Sequence, residues 1–88
     1  MAAEVPVRGQ TTLRFVFISD PDKPVVTLKI PDSMLFQEAL VMAAKRQGKD
    51  ASILTATYPG GTPITTGTVR EIADKGTNIH VVDPSIVG

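Results

Sequence analysis

The residues of this chain with the clearest chemical potential are Ser85-Ile86-Val87-Gly88, which follow a break at Pro84. A glycine carboxylate on a short extended tail is a good acyl donor, because no side chain obstructs attack on an adenylate or a thioester. We therefore predict that Gly88 is the reactive group, with Val87 and Ile86 as the neighbours that an enzyme recognises. The alternative is an ordinary terminus with no chemistry of its own.

Other chemically competent residues are sparse. The chain has one histidine, His80, and no cysteine, which excludes a disulfide framework, a thiolate zinc site and a cysteine nucleophile within these 88 residues. Asp20 and Asp22 flank Pro21 in a predicted turn, where a carboxylate commonly caps a backbone amide. The pattern predicts a protein that is not an enzyme, binds no metal and needs no cofactor.

The composition is typical of a single globular domain. Hydrophobic residues make up 42% of the chain and charged residues 20%, which is enough apolar material for one core. Nine basic residues balance nine acidic ones, so no net charge attracts nucleic acid or anionic lipid. With no signal peptide or membrane span evident, we expect a soluble intracellular monomer with a flexible segment at 1–10, a domain at 11–83 and a flexible tail at 84–88.

Two strands are predicted in the first third of the chain. Residues 12–19 alternate, with Leu13, Phe15 and Phe17 on one face. Residues 25–30 alternate again, and the turn formers between the two runs predict a hairpin.

An amphipathic helix is predicted next. Asp32 or Ser33 is its expected N-cap, and Gly48 is its expected left-handed stop. Met34 and Val41 fall on the otherwise polar side, either as a small binding patch or as singly exposed apolar residues. The face predicted to pack on a sheet contains Phe36, Ala39, Leu40, Ala43 and Gln47.

Shorter elements complete the pattern. Residues 53–57 predict a third strand, and after a turn residues 62–64 are expected to pair briefly. Thr68 and Glu71 have the spacing of a capping box that opens a short helix, which Gly76 is expected to end. Residues 79–82 predict the last strand, with alternate residues facing inward.

This order of elements predicts an α+β fold of the ubiquitin-like β-grasp type. In that arrangement the first and last strands lie side by side in a mixed sheet of four to five strands. The long helix packs across one face, and a short second helix accompanies it. A small open barrel is the main rival, but the long one-sided helix does not suit a barrel.

Several residues also resemble the ubiquitin-fold modifier family, the modifiers of ufmylation. They are Ser19-Asp20-Pro21, Pro24, Ile30-Pro31-Asp32-Ser33, Phe36, Leu40, Ala43-Ala44, Gly76 and Val87-Gly88. The resemblance implies that Gly88 is activated with ATP, passed as a thioester to a conjugating enzyme and joined to target lysines with a ligase, and that a cysteine protease performs processing and removal at Val87-Gly88. It also implies a cytoplasmic and nuclear protein, with conjugates at the surface of the endoplasmic reticulum.

The resemblance further implies two binding features. A short motif of the activating enzyme is expected to add as a strand along the edge formed by Val25, Val26, Thr27, Leu28, Lys29 and Ile30. Lys29 is either a guard against aggregation at that edge, which we favour, or part of the motif site. Lys75 lies one residue from the family position of a chain-linkage lysine.

Three functions therefore remain open from the sequence. The first is a covalent protein modifier. The second is a sulfur carrier, a class that shares the fold and the C-terminal adenylation but normally ends in Gly-Gly. The third is a non-covalent interaction module that uses a sheet edge or the Met34 and Val41 patch.

Overall fold

A computed structural model describes residues 9–84. Four strands, two α-helices and one 3-10 helix follow one another in this part of the chain. In chain order they are β1 (Gln10–Phe17), β2 (Val25–Pro31), α1 (Phe36–Arg46), the 3-10 helix (Ala51–Ile53), β3 (Thr55–Thr57), α2 (Val69–Lys75) and β4 (Asn78–Val82).

The four strands form one mixed sheet in the order β2-β1-β4-β3. β1 pairs antiparallel with β2, with Phe15 opposite Val26, and parallel with β4, with Phe15 opposite Ile79. β3 pairs antiparallel with the other side of β4. The first and last strands are therefore central, as the sequence pattern predicted.

The hydrophobic core lies between one face of the sheet and the helices. The predicted inward residues of β1 are buried, since Leu13 and Phe15 are fully covered and Phe17 is 1% exposed. The rings of Phe15 and Phe36 stack with centroids 5.9 Å apart, so the sheet and α1 meet at this pair. The other buried core residues include Val26, Leu28, Ile30, Ala39, Leu40, Ala43, Ala44, Ile72, Ile79 and Val81.

The predicted start of the long helix is wrong. Helix α1 begins at Phe36, and its N-cap position is Leu35, which makes no side-chain cap. Asp32 instead accepts a hydrogen bond from the hydroxyl of Thr11, and its carbonyl accepts one from the Arg70 amide at 3.1 Å. Asp32 is therefore held by contacts with β1 and α2 and does not cap α1, although its side chain is a favourable N-cap. The C-terminal stop is confirmed, because Gly48 has a φ of +68°.

The third strand is shorter than predicted. Ile53 belongs to the 3-10 helix, and β3 covers only Thr55–Thr57. Asp50 starts the 3-10 helix by accepting hydrogen bonds from the Ser52 amide at 2.9 Å and the Ser52 hydroxyl at 2.8 Å. These bonds lower the pKa of Asp50 below its ordinary value. This cap closes a local turn, so Ile53 lies in the 3-10 helix and not in the predicted strand.

The remaining local predictions agree more closely with the structure. Thr68 and Glu71 form the predicted capping box of α2. The brief pairing after the turn is present as a bridge between Thr57 and Pro63. β1 spans Gln10–Phe17 instead of 12–19, because the Phe17 carbonyl accepts the Asp20 amide in the hairpin turn.

The Met34 and Val41 patch is not formed as a pair of exposed residues. Met34 is half-buried and packs against the core, and its carbonyl accepts the Val69 amide at 2.8 Å. Val41 is half-buried. Met34 precedes the true start of α1, so its position on a helical wheel had no structural meaning.

Candidate functional site

Lys49 links two carboxylates at the point where the chain leaves β4. Its Nζ lies 3.1 Å from Oδ1 of Asp20 and 3.4 Å from Oδ2 of Asp83. The Asp83 amide donates to the Ser19 hydroxyl oxygen at 2.9 Å. We call Ser19, Asp20, Lys49 and Asp83 the tail-base cluster, because Asp83 directly precedes Pro84 and the predicted tail.

The tail-base cluster joins three separate parts of the chain. Ser19 and Asp20 belong to the β1–β2 turn, Lys49 follows α1, and Asp83 follows β4. Asp83 is only 6% exposed, and Pro84 is exposed. A carboxylate held this far from water needs a cation and hydrogen bonds, which the cluster supplies. The exit of the chain from the sheet is therefore held in place by charge as well as by strand pairing.

The cluster also changes the acidity of Lys49. The pKa of Lys49 is raised above the ordinary 10.5, and the hydrogen bond with Asp20 is the largest cause. The charges of Asp20 and Asp83 also raise this pKa, whereas burial opposes the shift. Burial raises the pKa of Tyr58 above 10.0, and its hydroxyl donates to the Ile72 carbonyl at 3.2 Å. Both groups hold their protons more tightly in the folded protein.

This predicts a loss of stability in alkali with a defined sign. Because both folded-state pKa values are raised, each contribution is complete below the ordinary pKa, about pH 10, and is lost as the pH rises through the folded-state value. We expect the unfolding free energy of the Tyr58→Phe variant to fall as the pH rises above the ordinary lysine pKa of 10.5. In the variant that also carries Lys49→Met, the unfolding free energy measured by urea titration should depend less steeply on pH. Equal slopes for the two proteins would contradict a raised pKa at Lys49.

β2 is an edge strand of the described sheet, as predicted for the motif-binding edge. Val26, Leu28 and Ile30 face the core and are buried, whereas Thr27 and Lys29 are exposed and Val25 is 46% exposed. These six residues lie in one continuous strand at the edge of the described sheet, and their role in binding a motif stays a prediction.

The main-chain groups of β2 alternate between β1 and solvent. The Phe17 amide donates to the Pro24 carbonyl at 2.9 Å, and the Asp32 amide donates to the Gly9 carbonyl. These two bonds fix the alternation of the antiparallel ladder. Val25, Thr27 and Lys29 therefore direct their amides and carbonyls away from β1. This row is the hydrogen-bonding pattern that an added strand requires.

The other residues singled out from the sequence lie away from the tail-base cluster and the β2 edge, or outside the described part of the chain. Lys75 is exposed and ends α2, so its amine is accessible for acylation. Gly88, Val87 and Ile86 lie outside the described residues. His80 is half-buried in β4, and within residues 9–84 no group of three His, Asp or Glu side chains is placed to hold a metal ion. None of the described helices has the length and apolarity needed to cross a bilayer.

Sequence reasoning did not single out Lys49 or Asp83. Neither lies in a motif, and the two are 34 residues apart along the chain. The sequence places Ser19 and Asp20 in the first turn and in the family resemblance, with no link to Asp83, although Ser19 accepts a hydrogen bond from the Asp83 amide 64 residues away. Only the folded sheet brings these residues together, so no local signal was available.

Comparisons with known proteins support the fold. No protein-family model and no curated protein matches this sequence. Among solved structures, a de novo designed protein based on ubiquitin superposes with a TM-score of 0.64 at 13% identity, covering 84% of this chain and 88% of the other. The C-terminal ubiquitin-like domain of mouse tubulin-specific chaperone e gives 0.58 at 17% identity, covering 90% and 92%. The chain has an α+β fold of the ubiquitin-like β-grasp type.

Proposed function

We propose that this ubiquitin-like protein is a covalent modifier of the ubiquitin-fold modifier type and is itself a substrate of enzymes, not an enzyme. The observation that carries the proposal is the ubiquitin-like sheet, whose central strand β4 leads through the anchored Asp83 to the segment containing Val87-Gly88. The family resemblance in the sequence supports the same assignment.

The proposed chemistry uses the Gly88 carboxylate three times. It attacks the α-phosphorus of ATP to form an acyl adenylate and release pyrophosphate. A cysteine thiolate of the activating enzyme then displaces AMP to form a thioester, which is exchanged onto the conjugating enzyme. Finally a lysine amine of a target displaces that thiolate, and an isopeptide bond forms. Because this chain has no cysteine, every sulfur in the sequence of steps belongs to the partners.

The proposal includes further partners. A ligase would assist transfer, and a cysteine protease would process the Val87-Gly88 end and remove the modifier. Lys75 would be the acceptor if one copy is joined to another, since its amine is exposed. We propose cytoplasmic and nuclear localisation, with conjugates at the endoplasmic reticulum surface.

The deciding experiment is a charging assay. The protein, ATP and a ubiquitin-fold modifier activating enzyme from a matching source are incubated and resolved on gels with and without thiol reductant. We expect an ATP-dependent, reductant-sensitive adduct with the wild type and with the Lys75→Arg control. Deletion of Gly88 should abolish the adduct and leave the circular dichroism spectrum unchanged.

Two results would contradict the modifier assignment. One is an adduct that persists without Gly88. The other is no adduct although the enzyme charges its own modifier. A C-terminal thiocarboxylate, detected by mass spectrometry of protein isolated from cells, would instead support a sulfur carrier.

The open edge of β2 supports a second proposal, that a short motif of the activating enzyme pairs with it as an added strand. The outward amide of Thr27 lies in the middle of the row that such a strand would contact. Thr27→Pro removes this donor and leaves the bonds to β1, a change that edge strands tolerate.

We expect Thr27→Pro to slow charging by about tenfold, because it removes one main-chain bond and disturbs its neighbours. Thr27→Ala should charge at the wild-type rate, since it retains the amide. Initial rates of adduct formation at limiting enzyme measure the effect. Equal rates for the two variants would exclude this edge as the docking site. Binding of peptides at the edge without any charging would favour a non-covalent interaction module.

A further inference from the structure

Asp83 is a buried carboxylate at the point where the chain leaves the sheet. It directly follows β4, and among residues 9–84 it is the one polar or charged residue that is buried. Pro84 next to it is exposed. A buried ion pair is often no more stable than apolar side chains of similar volume, because both charges lose their water. Stability alone therefore does not explain a carboxylate at this position.

The tail-base cluster restrains both the main chain and the side chain of Asp83. The Ile18 amide donates to the Val81 carbonyl at 3.1 Å, which continues the pairing of β1 with β4 by one residue beyond β1. Two residues after Val81, the Asp83 amide donates to the Ser19 hydroxyl oxygen at 2.9 Å. The Asp83 carboxylate is held by Lys49, which follows α1. Two separate segments of the chain therefore fix this one residue.

Pro84 adds a restraint on the direction of the chain. Its ring fixes its own φ at about −65°, and the residue before a proline favours extended conformations. The five residues 84–88 lead from Asp83 to Gly88. A fully extended chain of this length spans at most about 18 Å. The position of Asp83 therefore limits the region in which the Gly88 carboxylate can lie.

We propose that the tail-base cluster positions Gly88 for acyl transfer, with Lys49 and Asp83 as its positioning residues. They hold the start of the tail, so that an enzyme orders only residues 84–88 when it takes up the carboxylate. They act through the chain and not on the reacting atoms. This inference rests on the proposed activation of Gly88 and assigns to the cluster a role in the rate of that step.

Chain entropy sets the expected size of the effect. Without the ion pair, Asp83 and the end of β4 can detach from the sheet, which adds residues that the enzyme must order. Ordering one further residue costs enough entropy to lower a rate about tenfold. We therefore expect loss of the cluster to slow the charging of this protein by about tenfold.

The test compares variants in the charging assay, with kcat/KM for this protein as the measured quantity. Lys49→Met combined with Asp83→Leu replaces the ion pair by apolar side chains, and we call it the apolar variant. Urea unfolding should show stability similar to the wild type, whereas charging should be about tenfold slower. Asp83→Asn retains the shape of the side chain without its charge. It should also charge more slowly, and it tests the role independently if the apolar variant does not fold.

Two controls separate positioning from stability. Lys49→Arg keeps a positive charge beside Asp83 and should charge within about twofold of the wild type. Ile79→Val removes one methylene from the buried core of β4, which lowers stability and leaves the cluster intact. It should charge at the wild-type rate.

An insertion tests whether the cluster acts through the exit of the chain. Glycine and serine placed between Pro84 and Ser85 lengthen the tail and separate its end from the fixed start. In this background the apolar substitutions should change charging by less than about twofold, because the restraint at Asp83 no longer reaches Gly88. An equal loss in both backgrounds would overturn the positioning role, since it would indicate direct contact with the enzyme or a general loss of structure.

Failure of this inference is distinguishable from failure of the modifier assignment. If an enzyme that charges its own modifier does not charge the wild type, both are overturned. If the wild type is charged and the apolar variant and Asp83→Asn match its rate, only the positioning role is overturned. The same holds if Ile79→Val is slowed as much as the apolar variant, because charging would then follow stability.

Discussion

Replacing Phe15 with alanine is expected to remove about 3–5 kcal/mol of unfolding free energy. Phe15 is fully buried in the central strand, between Val26 on β2 and Ile79 on β4, and its ring stacks on Phe36. Alanine would leave a cavity beneath α1 that the paired strands cannot close. A domain of this size has a total stability of about 4–13 kcal/mol, so a large part of the population should unfold.

Urea denaturation followed by circular dichroism measures this loss. Phe15→Leu is the graded control, because it keeps most of the buried volume and should cost less than alanine. Val16→Ala is the matched control one residue further along β1, where the side chain points to the side of the sheet away from the core, and it should change stability by at most about 1 kcal/mol. A similar loss at positions 15 and 16 would contradict the assignment of the core to one side of the sheet.

Replacing Asp83 with alanine is expected to lower the unfolding free energy by about 1–3 kcal/mol. The substitution removes the buried carboxylate that Lys49 contacts at 3.4 Å and so weakens the tail-base cluster. Lys49 keeps Asp20 as a partner, which places the expected loss below that of a fully isolated buried charge. Asp22→Ala is the control in the neighbouring turn, where the side chain is exposed, and should be nearly neutral.

A double-mutant cycle isolates the ion pair within this loss. If Lys49 and Asp83 stabilise one another, Lys49→Ala combined with Asp83→Ala should cost less than the two single changes together. Hydrogen exchange at the Asp83 amide should also accelerate in Asp83→Ala, because the bond to Ser19 depends on the same local geometry. Strict additivity of the two losses would show that the contact contributes nothing to stability.

The arrangement of the core was predictable because it repeats along short stretches of sequence. Phe15 and Phe17 lie two residues apart in an alternating run, and Phe36 and Leu40 lie one helical turn apart. Burial of these positions follows from the geometry of an isolated strand or helix. The predicted β-grasp topology, with the first and last strands in the centre, left the strand at 25–30 at an edge, and the family resemblance implied a motif site there.

The start of α1 was not predictable from local propensity. Asp32 has the side chain of a good N-cap, but it bonds to Thr11 on β1, and its carbonyl bonds to Arg70 on α2. Those partners are far away in the sequence and become available only after folding. Local capping, worth about 1 kcal/mol, gives way to these contacts.

The sequence by itself determined the fold class, the central strands, the edge position of β2 and the absence of cysteine from these 88 residues. These properties depend on residue type and on spacings of a few residues, which local geometry translates directly into structure. The tertiary structure alone decided the tail-base cluster and the placement of Val16 between Val25 on β2 and His80 on β4. Both depend on strand order and register, which bring together residues that no short-range pattern connects.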